Sequence, residues 1–275
     1  MGFIPIVDMH NFPTVYNEKK QIFGTHNAWE YYFEQLSNFT LEEVYKSKNI
    51  IMTDNKFYRD EEFKNKITSS NKLLEILKKE IKIKKTKLKT INYLKNKLFG
   101  DKKILGVHHR GTGYKIDEYP ITINQMINII NEILSEESYD KIFLVTEDSN
   151  NFRSLKNYFG EKIIYLKNSQ RGKTNLEVWK KYPRNLHRYK LGRDILYETF
   201  LLSYCDGYFD IDTNPTEFAH GMNLNPNQKR YTFDNGINKP WQYFKYLNFK
   251  WYLRNFFPEA LGGFKKNKKP PKNNV

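Results

Sequence analysis

Only one cysteine, Cys205, stands among the 275 residues. No intrachain disulfide is possible, and a reducing compartment suits such a chain. Cys205 itself lies in an apolar helical stretch, where a small buried thiol is an ordinary core residue. Nowhere is there an apolar run of the roughly 18 residues that a membrane span needs. Met1-Gly-Phe does not open a charged region followed by an apolar one, so no secretory leader is expected and the cytoplasm is the expected location. Acids are outnumbered 31 to 46 by Lys and Arg, giving a formal net charge of +15. Such a charge points to a polyanionic partner. Zinc-knuckle spacing, an aromatic ribonucleoprotein signature and a basic zipper are all missing, however, which leaves nucleic-acid binding as the weaker alternative.

Apolar residues make up only 39% of the chain, and the mean hydropathy is −0.76. What is abundant is aromatic: Tyr and Phe number 20 each. Rings bury much area per residue, so a core forms despite the lysines, and a disordered chain is excluded. The lysines concentrate between Lys78 and Lys103 and in the tail from Lys265 to Lys272. Leu73, Leu74, Leu77, Ile81, Leu88, Ile91, Leu94 and Leu98 are spaced as on helices. Two readings stay open: a solvated basic face, or attraction to anionic lipid headgroups or a polyanionic glycan, at about 1 kcal/mol per Lys near an anionic surface. The second would place the protein at the inner face of the membrane.

The apolar pattern predicts an α/β protein. Ile4–Asp8 reads as a strand and Thr40-Leu-Glu-Glu43 as a capping box, while residues 66–99 read as helix ending at Gly100. Strands at 104–108, 141–146, 162–166 and 207–211 then alternate with helices at 121–136, 150–158, 193–204 and 215–221. That alternation implies a parallel sheet with crossover helices. Residues 168–188 read as a long polar loop, the aromatic stretch 232–257 as a terminal helix, and the basic end from Gly262 as disordered. Four regions follow: 1–100, partial and carrying the basic helices; 101–225, Rossmann-like; 226–262, aromatic; and a tail, 263–275.

Chemistry-bearing residues gather after the strands. Ile104-Leu-Gly-Val107 runs into His108-His-Arg110-Gly-Thr112-Gly113, which joins a guanidinium to a glycine-rich backbone able to approach phosphate oxygens closely. Lys141-Ile-Phe-Leu-Val145 ends in Thr146-Glu147-Asp148, and Tyr208 to Thr213 leads into Asn214-Pro-Thr-Glu-Phe-Ala219. Ligands of open parallel sheets sit at such carboxyl ends, beside a switch in strand order.

In this order and spacing the segments resemble the GDP-fucose-dependent fucosyltransferases: the α-1,6, nodulation-type and O-fucosyltransferase group. The family's His-x-Arg-Arg-Thr-Asp stands here as His108-His109-Arg110-Gly111-Thr112-Gly113, and its Ala-Thr-Asp-Asp as Val145-Thr146-Glu147-Asp148. An acid eight residues before an Asp corresponds to Glu198 and Asp206. Thr213, Asn214 and Ala219 correspond to the third motif, which begins with Ser in the family, and Trp29-Glu30-Tyr-Tyr-Phe33 resembles Trp-Glu-x-x-Phe; no single motif is intact. The likeness covers roughly residues 1–222, and it is the ordered set that is specific. It implies a GT-B-like fold: a Rossmann-type parallel-sheet donor domain with a smaller, incomplete N-terminal α/β region. Relatives carry a Gly-rich loop ahead of the strand that Ile4–Asp8 resembles, so the resemblance implies an N-terminally shortened member.

The implied activity is inverting, metal-independent transfer of fucose, or a related sugar such as a heptose, from a GDP-sugar to a hydroxyl of a cell-surface glycan. The GDP-sugar is a co-substrate, and no cofactor is expected. Arg110 is the expected catalytic clamp on the β-phosphate. Glu118, eight residues on, is the expected base, with Asp8 and His10 as lesser contenders. His108, Thr112, Thr146, Asp148, Glu198, Thr213 and Asn214 are the implied donor-binding set, Glu198 accepting from the guanine edge. Asp210-Ile-Asp212 has the spacing of a metal pair but falls on the strand before the third motif, so no metal is expected there. Glycine in place of the second Arg and the Asp leaves a catalytically impaired, nucleotide-sugar- or glycan-binding remnant as the alternative.

Overall fold

A computed structural model describes residues 4–52, 75, 78–110, 121–173, 175–181, 183–210, 214–222, 224–233, 253–254, 256–261, 263 and 272–273. The chain forms two compact units: residues 1–91 with 184–193, and residues 92–183 with 194–275.

In the first unit, buried amides replace most regular structure. Residues 4–8, expected as a strand, pair with no strand among the described residues; side chains bond the backbone of Val7 instead. Val7 N donates to Gln35 Oε1 at 2.8 Å, and Val7 O accepts from Asn27 Nδ2 at 2.7 Å. The Trp-Glu-x-x-Phe segment is part of the same knot. Trp29 stacks on Phe33 with centroids 4.4 Å apart, and Glu30 accepts from Thr25 Oγ1 at 2.6 Å. Tyr32 stacks on Tyr189 and donates to its carbonyl at 2.7 Å. Gly192 is required there, because a Cβ would run into the Tyr32 hydroxyl. Thr40 does form a capping box with Glu43, opening helix α1, Leu41–Tyr45.

Of the basic helices expected over 66–99, residues 66–74, 76 and 77 lie outside the described residues, and residues 81–84 are not helical. Ile83 pairs antiparallel with Phe33, Lys84 N donates to Tyr32 O at 2.9 Å, and only then does α2 run, Lys85–Leu98. Apolar spacing alone could not register a backbone pairing that captures Ile81–Lys84.

The second unit is the expected α/β layer structure. Strand β1, Ile104–His108, leads to helix α3, Ile123–Glu136, and strand β2, Lys141–Val145. Helix α4, Ser149–Phe159, strand β3, Ile163–Ile164, and helix α5, Asn175–Trp179, come next. Helix α6, His187–Ser203, strand β4, Gly207–Asp210, helix α7, Asn214–Met222, and strand β5, Lys229–Thr232, follow. The sheet order is β3-β2-β1-β4-β5, all parallel, with Lys272–Asn273 as antiparallel edge strand β6.

Several bounds correct the sequence reading. Helix α6 begins six residues before 193, α5 lies inside the expected loop, and β5 was not expected. The start of the expected aromatic helix, Thr232, closes β5 instead, and residues 234–252 lie outside the described residues. Within the tail expected to be disordered, Lys272 and Asn273 pair with β5.

Strand alternation sends two layers of side chains to opposite faces. Leu105, Val107, Ile142, Leu144 and Phe209 pack under α3 and α4. Ile104, Phe143, Val145 and Tyr208 pack under α6 and α7 with Phe99. Gly106 faces α6, and a Cβ there would meet Cys205 Sγ and Leu202 Cδ2 at 3.0 Å, so its lack of a side chain seats the helix on β1.

At the amino edge of the sheet, Asp206 Oδ2 accepts from Ile104 N at 2.7 Å, which makes this acid a clip between β1 and β4. Nearby, burial would raise the Glu137 carboxyl, but Lys103 and Lys229, each at 2.6 Å, hold it at about 2. The opposite, carboxyl edge is left for the site.

Candidate functional site

The connections from β1 to β2 and on to β3 run one way across the sheet, while β4 lies on the other side of β1. The order therefore switches between β1 and β4, and in open parallel sheets ligands sit beyond the carboxyl ends at such a switch. His108 ends β1, and Arg110 is exposed two residues later. Helix α7 starts four residues after β4 with Pro215 in its first turn, presenting its N-terminal end at the same edge.

His108 shares the face of Gly106 and Val145, the face covered by α6. It is buried, and among the described residues its Nδ1 has no hydrogen-bond partner. Burial, with His109 and Arg110 adding, drives its pKa down to about 3, so it stays neutral at ordinary pH. His109 points the other way. Its Nδ1 lies 3.5 Å from both Thr146 Oγ1 and Asn151 Nδ2, and its amide donates to Val145 O at 2.9 Å. Burial holds it below the usual imidazole range against the pull of Asp148.

Helix α6 runs antiparallel to β1. Its Leu202 meets Gly106, so Glu198 lies one turn, about 6 Å, nearer the carboxyl edge. That is the level His108 reaches two residues along the strand, about 6.6 Å on. The Glu198 side chain is 12% exposed, and Arg171 Nη2 stands 4.0 Å from its Oε1. Among the described residues that oxygen accepts no hydrogen bond. Burial raises the carboxyl to about 7; Ser169 and Arg171 oppose the shift, while Asp194 and Glu147 add to it.

Arg171 reaches this place because its loop is sewn to the end of β2. Gly172 bridges Asp148 in parallel, donating to Glu147 O and accepting from Ser149 N, both at 2.9 Å. Its guanidinium lies over Phe152 at 4.4 Å and Tyr165 at 5.2 Å.

The raised Glu198 value has a consequence for stability. The folded chain favours the neutral acid, so the stabilisation is complete below the ordinary value of 4.5 and fades as pH rises through about 7. Glu198→Gln, neutral at every pH, is therefore expected to raise Tm at pH 8 and to change it little at pH 4.5; calorimetry at the two pH values checks this.

Three solved structures show partial similarity. NodZ α-1,6-fucosyltransferase co-crystallised with GDP is 18% identical with a TM-score of 0.43, over 71% of this chain and 59% of that one. NodZ soaked with GDP-fucose is 13% identical with a TM-score of 0.48, over 76% and 81%. POFUT1 in complex with GDP-fucose is 9% identical with a TM-score of 0.36, over 57% and 49%. The chain thus spans under three-fifths of the length of the first of these. No protein-family model and no curated protein sequence matches the chain. What the site can do rests on its own residues.

Of the expected site residues, the structure gathers His108, Arg110, Thr146, Asp148 and Glu198 at one edge of the sheet. Thr112, Glu118 and Thr213 lie outside the described residues, and of Asn214 only the helical backbone is described. Asp148 has a structural duty: its Oδ1 caps α4, accepting from Asn150 N at 2.8 Å and Asn151 N at 3.0 Å. Thr146 Oγ1 accepts from Asp148 N at 3.2 Å and supports that turn. Asp8 is tied up by Tyr45 and by the His10 and Asn11 amides.

Two residues carry weight that the sequence did not reveal. His109 is the unspecified position of its motif, and Arg171 sits in a loop where a cation reads as solvated. The Arg171-Gly172 pair, resembling the Arg110-Gly111 pair after β1, was the available signal. Among the described residues, no helix is long and apolar enough to cross a membrane, and no cluster of His, Cys, Asp or Glu is placed to hold a metal.

Proposed function

We propose that the chain is a glycosyltransferase that moves fucose, or a related sugar, from a GDP-sugar to a hydroxyl of a glycan, with inversion and with Arg110 serving where other enzymes use a metal. The observation that carries this is the convergence at the switch point. An exposed Arg110 follows the central strand by two residues, while His108 Nδ1 and Glu198 Oε1 are buried with no hydrogen bond among the described residues, the carboxylate facing Arg171 at 4.0 Å. Buried polar groups left unsatisfied are costly, and a polar ligand entering the site would satisfy them. A carboxylate accepts from the two N–H groups of a guanine edge, and neutral His108 suits a base or ribose contact.

The acceptor hydroxyl attacks the anomeric carbon from the face opposite the diphosphate. As the new C–O bond forms, the bond to the β-phosphate oxygen breaks and its electron pair stays with the leaving GDP. Arg110 and the backbone N–H groups near the start of α7 stabilise that growing charge. The acceptor proton goes to a base, for which Glu118 is our choice.

Incubation with GDP-fucose, followed by chromatography, tests the reading. Slow release of GDP and free fucose to water, and faster release of GDP with the fucose transferred to the glycan when an acceptor is present, is the expected result. Binding of GDP with no release would favour the remnant, as glycine at 111 and 113 in place of the motif Arg and Asp suggests.

A further inference from the structure

We infer that Arg171 is the positioning residue that opposes protonation of Glu198, and thereby sets the pH range in which the site accepts a guanine base. This rests on the reading above and deepens it. The carboxylate form offers two acceptors to the two guanine N–H donors. The protonated form turns one oxygen into a donor facing a donor, which leaves buried groups unpaired. Guanine binding therefore requires the charged acid.

The groups that bear on Glu198 come from three elements. Asp194 lies one turn earlier on the same helix, Glu147 stands at the end of β2, and Ser169 and Arg171 come from the loop after β3. Two acids and burial push toward the neutral form. The Ser169 hydroxyl and the Arg171 cation oppose them, and Arg171 is rigidly placed. Its side chain is 11% exposed, its Nη atoms donate to the Leu166 and Ser169 carbonyls at 3.3–3.4 Å, and its plane covers Phe152 and Tyr165. Its Nε has no acceptor among the described residues. Carbonyls and rings orient this guanidinium without neutralising it, so its charge remains available to the acid 4.0 Å away. A carboxyl held near neutrality by opposed charges answers sharply to the loss of either side.

The test uses the full chain and two readouts: the Glu198 carboxyl carbon followed by NMR through a pH titration without ligand, and GDP affinity from pH 5.5 to 8.5. The β-phosphate of GDP titrates near 6 itself, so the comparison is between proteins with the same ligand. Arg171→Gln is expected to move the Glu198 midpoint up by about one unit, lower GDP affinity about fivefold at pH 7, and regain most of it at pH 8.5. Arg171→Lys should stay within about threefold of the parent, because charge rather than the fork is what is used here. Asp194→Asn should shift both curves the opposite way, which covers the case in which Arg171→Gln does not fold. An unmoved Glu198 midpoint, or an affinity loss equal at every pH, would overturn the inference. A midpoint that moves as expected in a protein that binds no GDP at any pH is a different result: it overturns the guanine reading of the site.

Discussion

Replacing Arg110 with Ala is expected to lower the rate of sugar transfer roughly a hundred- to a thousandfold, the typical cost of removing one preorganised donor to a developing charge. The side chain is exposed at the end of β1, beyond the buried His109. Its loss should therefore leave the circular dichroism spectrum and Tm close to those of the parent. Arg110→Lys keeps the charge but loses the planar pair of donors that fits two phosphate oxygens. It is expected to recover only part of the rate. Steady-state assays with GDP-fucose check both variants, and full turnover by folded Arg110→Ala protein would remove this residue from the mechanism.

The second large effect concerns the platform under the site. Phe143 lies at the centre of β2, is fully buried, and packs edge-to-face on Phe99 with centroids 5.3 Å apart. It shares a layer with Ile104, Val145 and Tyr208, beneath the helix that carries Glu198. Truncation to Ala opens a cavity in a close-packed layer and is expected to cost about 3–5 kcal/mol. Against total stabilities of about 5–15 kcal/mol, that is enough to populate the unfolded state. Urea unfolding should show a much lower midpoint with an unchanged slope. A loss below about 1 kcal/mol would mean that the layer between sheet and α6 is less tightly packed than the full burial of Phe143 indicates.

The parallel sheet was legible because its inner strands are short apolar runs bounded by turn residues. Ile104–Val107 and Ile142–Val145 could hardly be anything else between helices of clear period. The same criterion misreads Ile4–Asp8, since an apolar run says nothing of partners, and here Asn27 and Gln35 take the place of a neighbouring strand. Strand β5, Lys-Arg-Tyr-Thr, was hidden for the opposite reason: on the edge-ward side of β4 it carries polar residues and no apolar run.

In the site, the positions just after strands were legible because topology, more than residue type, places them. Glu198 required the resemblance, since an acid in the middle of a helix ordinarily faces water. Arg171 offered only its pairing with Gly172, a signal too slight to single it out. Its burial comes from the rings of Phe152 and Tyr165 and from a loop sewn to β2 by backbone bonds that no side-chain pattern records.

The central claim is that the site beyond β1 and β4 holds the guanosine diphosphate of a sugar donor. Calorimetric titration of the parent protein with GDP, beside ADP as the competing nucleotide, tests it most directly. Saturable binding of GDP, at least about tenfold tighter than that of ADP, is the expected result, because a carboxylate meeting the adenine edge faces an acceptor where guanine presents N–H. No heat with GDP, or equal affinity for the two nucleotides, would contradict it.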